Sequence, residues 1–217
     1  MKALIRTLVA TACLALALPA TAQDRRQNRA GEFDYYVLAL SWAPSWCRNA
    51  RDTRDSNSCD RGRKAGFTVH GLWPQFEQGW PKDCPTTASG PSRRQSREMV
   101  DIMGSSGLAW YQWRKHGSCS GLSAPQYYET IRQARAAIII PEIFAQLDRD
   151  VSLPAKVLED AFIEANPDLT RNGITVTCQG RDIQEVRICL TKDLEPRACA
   201  PDTRRDCTRS MLMSPPL

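Results

Sequence analysis

The chain has 217 residues, 42% hydrophobic and 24% charged, with a formal net charge of +5. That length suits one domain with one sizeable core, and the balance excludes a disordered, collagenous or coiled-coil chain. A mild positive charge tolerates a polyanionic partner without identifying one.

Residues 1–22 read as a segment apart from the fold. Lys2 and Arg6 make a basic start, Leu8 to Pro19 is apolar apart from Thr11, and Ala20-Thr21-Ala22 supplies small residues. This pattern predicts a signal peptide cleaved after Ala22, and its apolar run is too short for a membrane span. No later segment reads as a span. The expected product is residues 23–217, a single domain with its core at about 34–199 and a loose C-terminal tail. Without Lys2 and Arg6 the net charge falls from +5 to +3. Destination is the periplasm or the outside medium, and the protein is expected to be a monomer.

Export changes the meaning of the cysteines. Cys13 leaves with the leader, and Cys47, Cys59, Cys84, Cys119, Cys178, Cys189, Cys199 and Cys207 remain. An even number in an exported chain predicts disulfides rather than metal ligation. Proximity in sequence suggests Cys47 with Cys59, and Cys178 with Cys189 across a hairpin.

The elements follow in chain order. Tyr35 to Ala43 is nearly continuous in hydrophobicity and reads as a buried strand. Residues 48–65 form a surface loop. Gly66 to Leu72 is a short strand, expected to stop at Trp73-Pro74, where proline interrupts ladder pairing. Residues 85–97 read as a polar loop, with a helix starting over Glu98 to Met103. A helix is predicted from Pro125 to Ile139, with Ser123 as N-cap and Pro125 in the first turn. Ile138, Ile139 and Ile140 read as core. Pro154 to Ala165 is helical, with Val157, Leu158, Ala161 and Phe162 on one face. Ile174 to Thr177 and Ile183 to Leu190 alternate as strands around Gly180. Pro201 to Leu217 is polar and fixed only by Cys207. Strands and helices without regular alternation predict an α+β fold.

Beyond the leader there are only two histidines, His70 and His116. Two imidazoles can divide one proton-transfer reaction, one taking a proton from a nucleophile and the other protonating a leaving group. Lys115 is placed to offset negative charge on a phosphorane. These groups suit metal-independent RNA cleavage, in which the 2′-hydroxyl attacks the adjacent phosphorus and the 5′-oxygen leaves. DNA lacks that hydroxyl and would be spared. A buried histidine can equally be a hydrogen-bonded core group.

Phe67-Thr-Val-His70-Gly-Leu-Trp73-Pro74 and Trp113-Arg-Lys115-His116-Gly-Ser-Cys119 resemble the two active-site segments of the ribonuclease T2 family, the Rh and S-ribonuclease relatives. Tyr36 to Cys47 resembles the family's first strand and first cysteine, and Ala161 to Pro167 and Glu185 to Cys189 resemble its later helix and strand. The resemblance implies a central antiparallel sheet with helices packed around it. It implies His116 as general base, His70 as general acid and Lys115 as stabiliser of the transition state. Trp73 would line a base site, and Cys84 would pair with Cys119. No cofactor and no metal are implied.

One departure stands out. The family's second segment usually begins with histidine and glutamate, where this chain has Tyr111 and Gln112. Gln112 carries no charge and shuttles no proton, and loss of a carboxylate there lowers the basicity of His116. Tyr111 can still donate to a phosphate oxygen. Activity is expected to be retained but weaker, by on the order of 10²-fold, or shifted in pH profile. Gln75 replaces the usual acid after the first segment's proline, which suggests loose base preference.

Other patterns carry less. Gly117 to Gly121 imitates a nucleophile turn around Cys119, but a disulfide explains that cysteine. His116 and Cys119 have no second pair to complete a zinc site. Asp148, Asp150, Ser152 and Glu159 fall at calcium-loop offsets, but Leu153 stands where that loop needs glycine, so a surface turn is expected. Trp42, Trp46, Trp110 and Trp113 read mostly as core, and Trp80 as more exposed and able to stack a base. Two functions follow: an exported endoribonuclease with RNA as substrate, or an RNA-binding protein that has lost efficient turnover on the same scaffold.

Overall fold

The computed structural model describes residues 28–50, 56–60 and 62–217. The leader read at residues 1–22 lies outside these. Six strands form one sheet: β1 (Tyr35–Trp42), β2 (Phe67–Gln75), β3 (Val151–Leu153), β4 (Ile174–Gln179), β5 (Asp182–Leu190) and β6 (Met211–Met213). Their order is β2-β1-β5-β6-β3, with β4 also paired to β5. All ladders are antiparallel except a single parallel β5–β6 pairing. The helices are α1 (Ala43–Asn49), α2 (Arg93–Glu98), α3 (Val100–Met103), α4 (Ser106–Lys115), α5 (Ala124–Ala137) and α6 (Ala155–Ala165). The fold is α+β, as expected.

The hydrophobic run of β1 follows from burial on both faces. Tyr36, Leu38, Leu40 and Trp42 enter the main core, while Tyr35 and Val37 join a smaller cluster with Cys189, Cys199 and Ala200. The register extends the main-core face across the sheet, in rows such as Leu72–Leu38–Ile188. On the opposite face, Trp73–Val37–Cys189 and Gly71–Ala39–Arg187 form neighbouring rows. This second face carries the candidate site.

Several local expectations change. β2 runs on through Trp73 and Pro74 to Gln75, with Pro74 opposite Tyr36. β2 is an edge strand, where a residue without an N–H is tolerated. The loop expected at 85–97 contains α2, opened by a capping box between Ser92 and Gln95. α4 has no counterpart among the expected elements, because Gly107 and its mixture of aromatic and polar residues give no clear helical face. α5 begins as predicted at the Ser123 N-cap, with a capping box to Gln126. The turn expected near Asp148 leads into β3, which pairs with β6. Ile139 is 60% exposed and Val157 49%, whereas their neighbours Ile138 and Leu158 are core. Trp46 and Trp110 are exposed, so only Trp42 and Trp113 of that group are buried.

Four disulfides form: Cys47–Cys59, Cys84–Cys119, Cys178–Cys207 and Cys189–Cys199. The expected Cys178–Cys189 bridge is incorrect. The hairpin register places Cys178 opposite Ile183, leaving Cys189 six residues farther along β5, roughly 20 Å at strand rise. Disulfides need Cα atoms within about 7 Å. The tail is not loose either. Met211 and Met213 are fully buried in β6, and Trp42 Nε1 donates to the Ser214 carbonyl at 3.0 Å. Packing of β6 between β5 and β3, as well as Cys207, holds the C-terminus.

Candidate active site

His70 sits at a β-bulge. Gly71 pairs with Ala39 and Val69 with Leu40, so His70 is an extra residue between two consecutive partners. A bulge of this kind re-aims a side chain. Val69 and Leu72 stay in the core, while His70 turns to the face that carries Trp73, Glu185 and Arg187. Its Nδ1 is hydrogen-bonded to the Glu185 carboxylate. Glu185 is 2% exposed, and its other oxygen accepts from Arg187 Nε at 2.8 Å. Burial pushes the Glu185 carboxyl up, but the His70 contact and the Arg187 charge outweigh it and hold the pKa at about 2.

His116 comes from the other side of the site. α4 starts at the Ser105 N-cap and ends at His116, whose N–H donates to the Gln112 carbonyl at 2.9 Å. The next turn is pinned by Cys84–Cys119 and by the Asp83 N–H donating to the Lys115 carbonyl at 2.8 Å. Gly117 is required there, since a Cβ would lie 2.5 Å from Trp113 and 2.7 Å from Tyr127. His116 is buried, and its Nδ1 has no partner among the described residues. Burial, then the charge of Lys115 and that of His70, lower its pKa to about 3.

Trp73 joins the two imidazoles. Its ring centroid lies 5.2 Å from that of His70, edge-on, and 5.4 Å from that of His116, stacked. The Arg187 guanidinium lies 5.1 Å from the same ring centroid. Trp73 Nε1 donates to Gln112 Oε1 at 2.8 Å. Gly71 makes this possible, because a Cβ there would fall 2.3 Å from Gln112 Oε1 and 2.5 Å from Trp73 Nε1.

His70, Trp73, Gln75, Tyr111, Gln112, Lys115 and His116 all line one cavity of about 440 Å³, together with Trp80. Every site residue expected from the sequence, apart from the disulfide cysteines, is therefore in one place. Gln75 Nε2 donates to the Pro74 carbonyl at 3.0 Å. Tyr111 is 39% exposed, with Lys115 Nζ 5.6 Å from its ring centroid. The same cavity is lined by Arg187, Asp202, Thr203 and Arg205, and Glu185 is tied to it through His70 and Arg187; the sequence expectations assign none of these a role. The signal for Glu185 and Arg187 was an acid and a base two positions apart, alternating with Val186 and Ile188 in β5. The signal for the C-terminal group was hidden by reading that segment as a loose tail.

The model of the Ribonuclease T2 family matches residues 33–199, and the chain belongs to that family. This membership supports an endoribonuclease. The chain is 34% identical over 171 residues to a ribonuclease of Aeromonas hydrophila, covering 77% of this chain and 76% of that protein. It is 26% identical over 212 residues to ribonuclease I of Escherichia coli strain K12, covering 75% of this chain and 77% of the relative. In fold it is similar to an RNase-related protein from Calystegia sepium, with TM-score 0.66, 23% identity and coverage of 85% and 98%. It is also similar to RNase NT solved with 5′-AMP, with TM-score 0.65, 22% identity and coverage of 86% and 100%.

Proposed function

We propose that the protein is an exported, metal-independent endoribonuclease that cleaves single-stranded RNA by transesterification. The observation that carries this reading is the pair His70 and His116, both in contact with the Trp73 ring and lining one cavity with Lys115. His116 takes the proton from the ribose 2′-hydroxyl. O2′ attacks phosphorus, and the charge that grows on the phosphorane oxygens is met by Lys115. The bond to O5′ breaks as His70 delivers a proton to that oxygen. Glu185 occupies Nδ1, which leaves Nε2 as the donating atom. The products are a 2′,3′-cyclic phosphate and a free 5′-hydroxyl.

Two features support a reduced rate. Gln112 brings no carboxylate to the site, and the lowered pKa of His116 makes it a weak base, though an unprotonated one at neutral pH. Gln75, an amide that can donate and accept, supports loose base preference. Residues 1–22 and the four disulfides support export, to the periplasm or the medium. The working species is a monomer that leaves DNA intact and does not engage a membrane.

Incubation of purified protein with RNA and with DNA in chelator tests this. RNA fragments with cyclic phosphate ends and untouched DNA are expected. An inert protein, or activity abolished by chelator, overturns the enzymatic reading. A His70→Ala protein with full activity overturns the assignment of roles.

A further inference from the structure

Beside the catalytic cavity lies a second one of about 420 Å³, lined by Thr177, Arg187, Arg205 and Arg209 among others. Arg187 and Arg205 line both cavities, so the two are contiguous. Arg209 makes no ion pair or hydrogen bond among the described residues, and Arg205 bonds only through its backbone N–H and Nε, the latter to a carbonyl. Thr177 is 8% exposed, and its hydroxyl is buried without a partner. A buried hydroxyl with no partner costs free energy, so a ligand oxygen that reached it would be bound favourably. The one carboxylate in the wall, Asp206, is turned to the fold: its Oδ1 accepts from Thr175 Oγ1 at 2.5 Å and from the Val176 N–H at 3.0 Å. Cys178–Cys207 fixes this wall against β4. Arg205 and Arg209 lie beyond residues 33–199, where the family match ends.

We infer that this second cavity holds a backbone phosphate of the RNA strand, one removed from the scissile bond, through Arg205, Arg209 and the Thr177 hydroxyl. The inference rests on the proposed ribonuclease reading and extends it from the reacting bond to the length of the substrate. A guanidinium matches a phosphate in planar, two-point hydrogen bonding. Arg187, shared by the two cavities and already paired with Glu185, continues the positive path between them. The consequence is a preference for chains long enough to reach the second cavity.

The test compares kcat/KM on a dinucleoside monophosphate and on a pentanucleotide of the same base. The unsubstituted protein is expected to favour the pentanucleotide. In Arg209→Gln the ratio of the two should fall about threefold to tenfold, and Arg209→Lys should restore part of it. The salt dependence of pentanucleotide KM should lose about 0.7 in logarithmic slope, the value for one single-strand phosphate. Thr177→Val should lower the ratio with no loss of thermal stability, because it removes an unpartnered hydroxyl. Turnover of neither substrate by the unsubstituted protein overturns the ribonuclease reading. Turnover of both with an unchanged ratio and slope in Arg209→Gln overturns the second site alone.

Discussion

His70 and Glu185, 115 positions apart in the chain, are joined through the imidazole Nδ1 and a buried carboxylate. The bulge in β2 and the register of β5 against β1 bring them together. A carboxylate in this position fixes the tautomer and the plane of the ring. Glu185 is thus a positioning residue for His70, and the His70 contact first and the Arg187 charge next keep it ionised.

Glu185→Gln is therefore expected to lower kcat by on the order of 10²-fold while KM changes little. Steady-state kinetics on RNA separate the two constants. An unchanged kcat would remove Glu185 from the site.

Gly71→Ala introduces a Cβ 2.3 Å from Gln112 Oε1 and 2.5 Å from Trp73 Nε1. Both side chains must yield, breaking the bond between them and shifting the indole that contacts both histidines. A loss of about 1–3 kcal/mol in stability is expected, with a change in tryptophan fluorescence and a fall in activity. Denaturant titration followed by fluorescence measures the first two on one sample.

Gln112→Glu restores a carboxylate near Lys115 and His116. It should raise the pKa of His116 from about 3 toward the ordinary range and raise turnover. Rate–pH profiles of the two proteins provide the comparison. Equal rates at every pH would show that the amide is no handicap.

Between pH 4.5 and 6.5 the pH dependence of stability carries two opposing contributions, from His116 and Glu159, while Glu185, held at about 2, adds a loss as pH falls below 4.5. His116, depressed to about 3, binds a proton more readily in the unfolded chain, so its contribution to stability is present above pH 6.5 and is lost as pH falls from 6.5 toward 3. The Glu159 carboxyl is raised to about 7, by burial first and by the neighbouring Asp206 next. Its contribution is present below pH 4.5 and is lost as pH rises toward 7. Between pH 4.5 and 6.5 the two partly cancel. Glu159→Gln should uncover the His116 dependence, with stability falling by up to about 1.4 kcal/mol per pH unit on acidification through that window. Urea unfolding at a series of pH values measures it.

What was legible in the sequence was local. The apolar run of Tyr35 to Trp42, the cap at Ser123, the alternation of Ile183 to Leu190 and the two segments around His70 and His116 each carry their signal within a few residues. Periodicity and capping are short-range properties, so α5 and β5 could be read directly. Only the tertiary structure decided the rest. Register, set by packing over the whole sheet, parted Cys178 from Cys189 and joined it to Cys207. The bulge that turns His70 toward Glu185 depends on how β2 meets β1, and nothing in the string around His70 announces it. The burial that lowers the pKa of His116 and the return of Arg205 to the cavity arise from segments meeting across the fold. The sequence could name the candidate groups because their chemistry belongs to the side chains. Their orientation and environment belong to partners that only folding supplies.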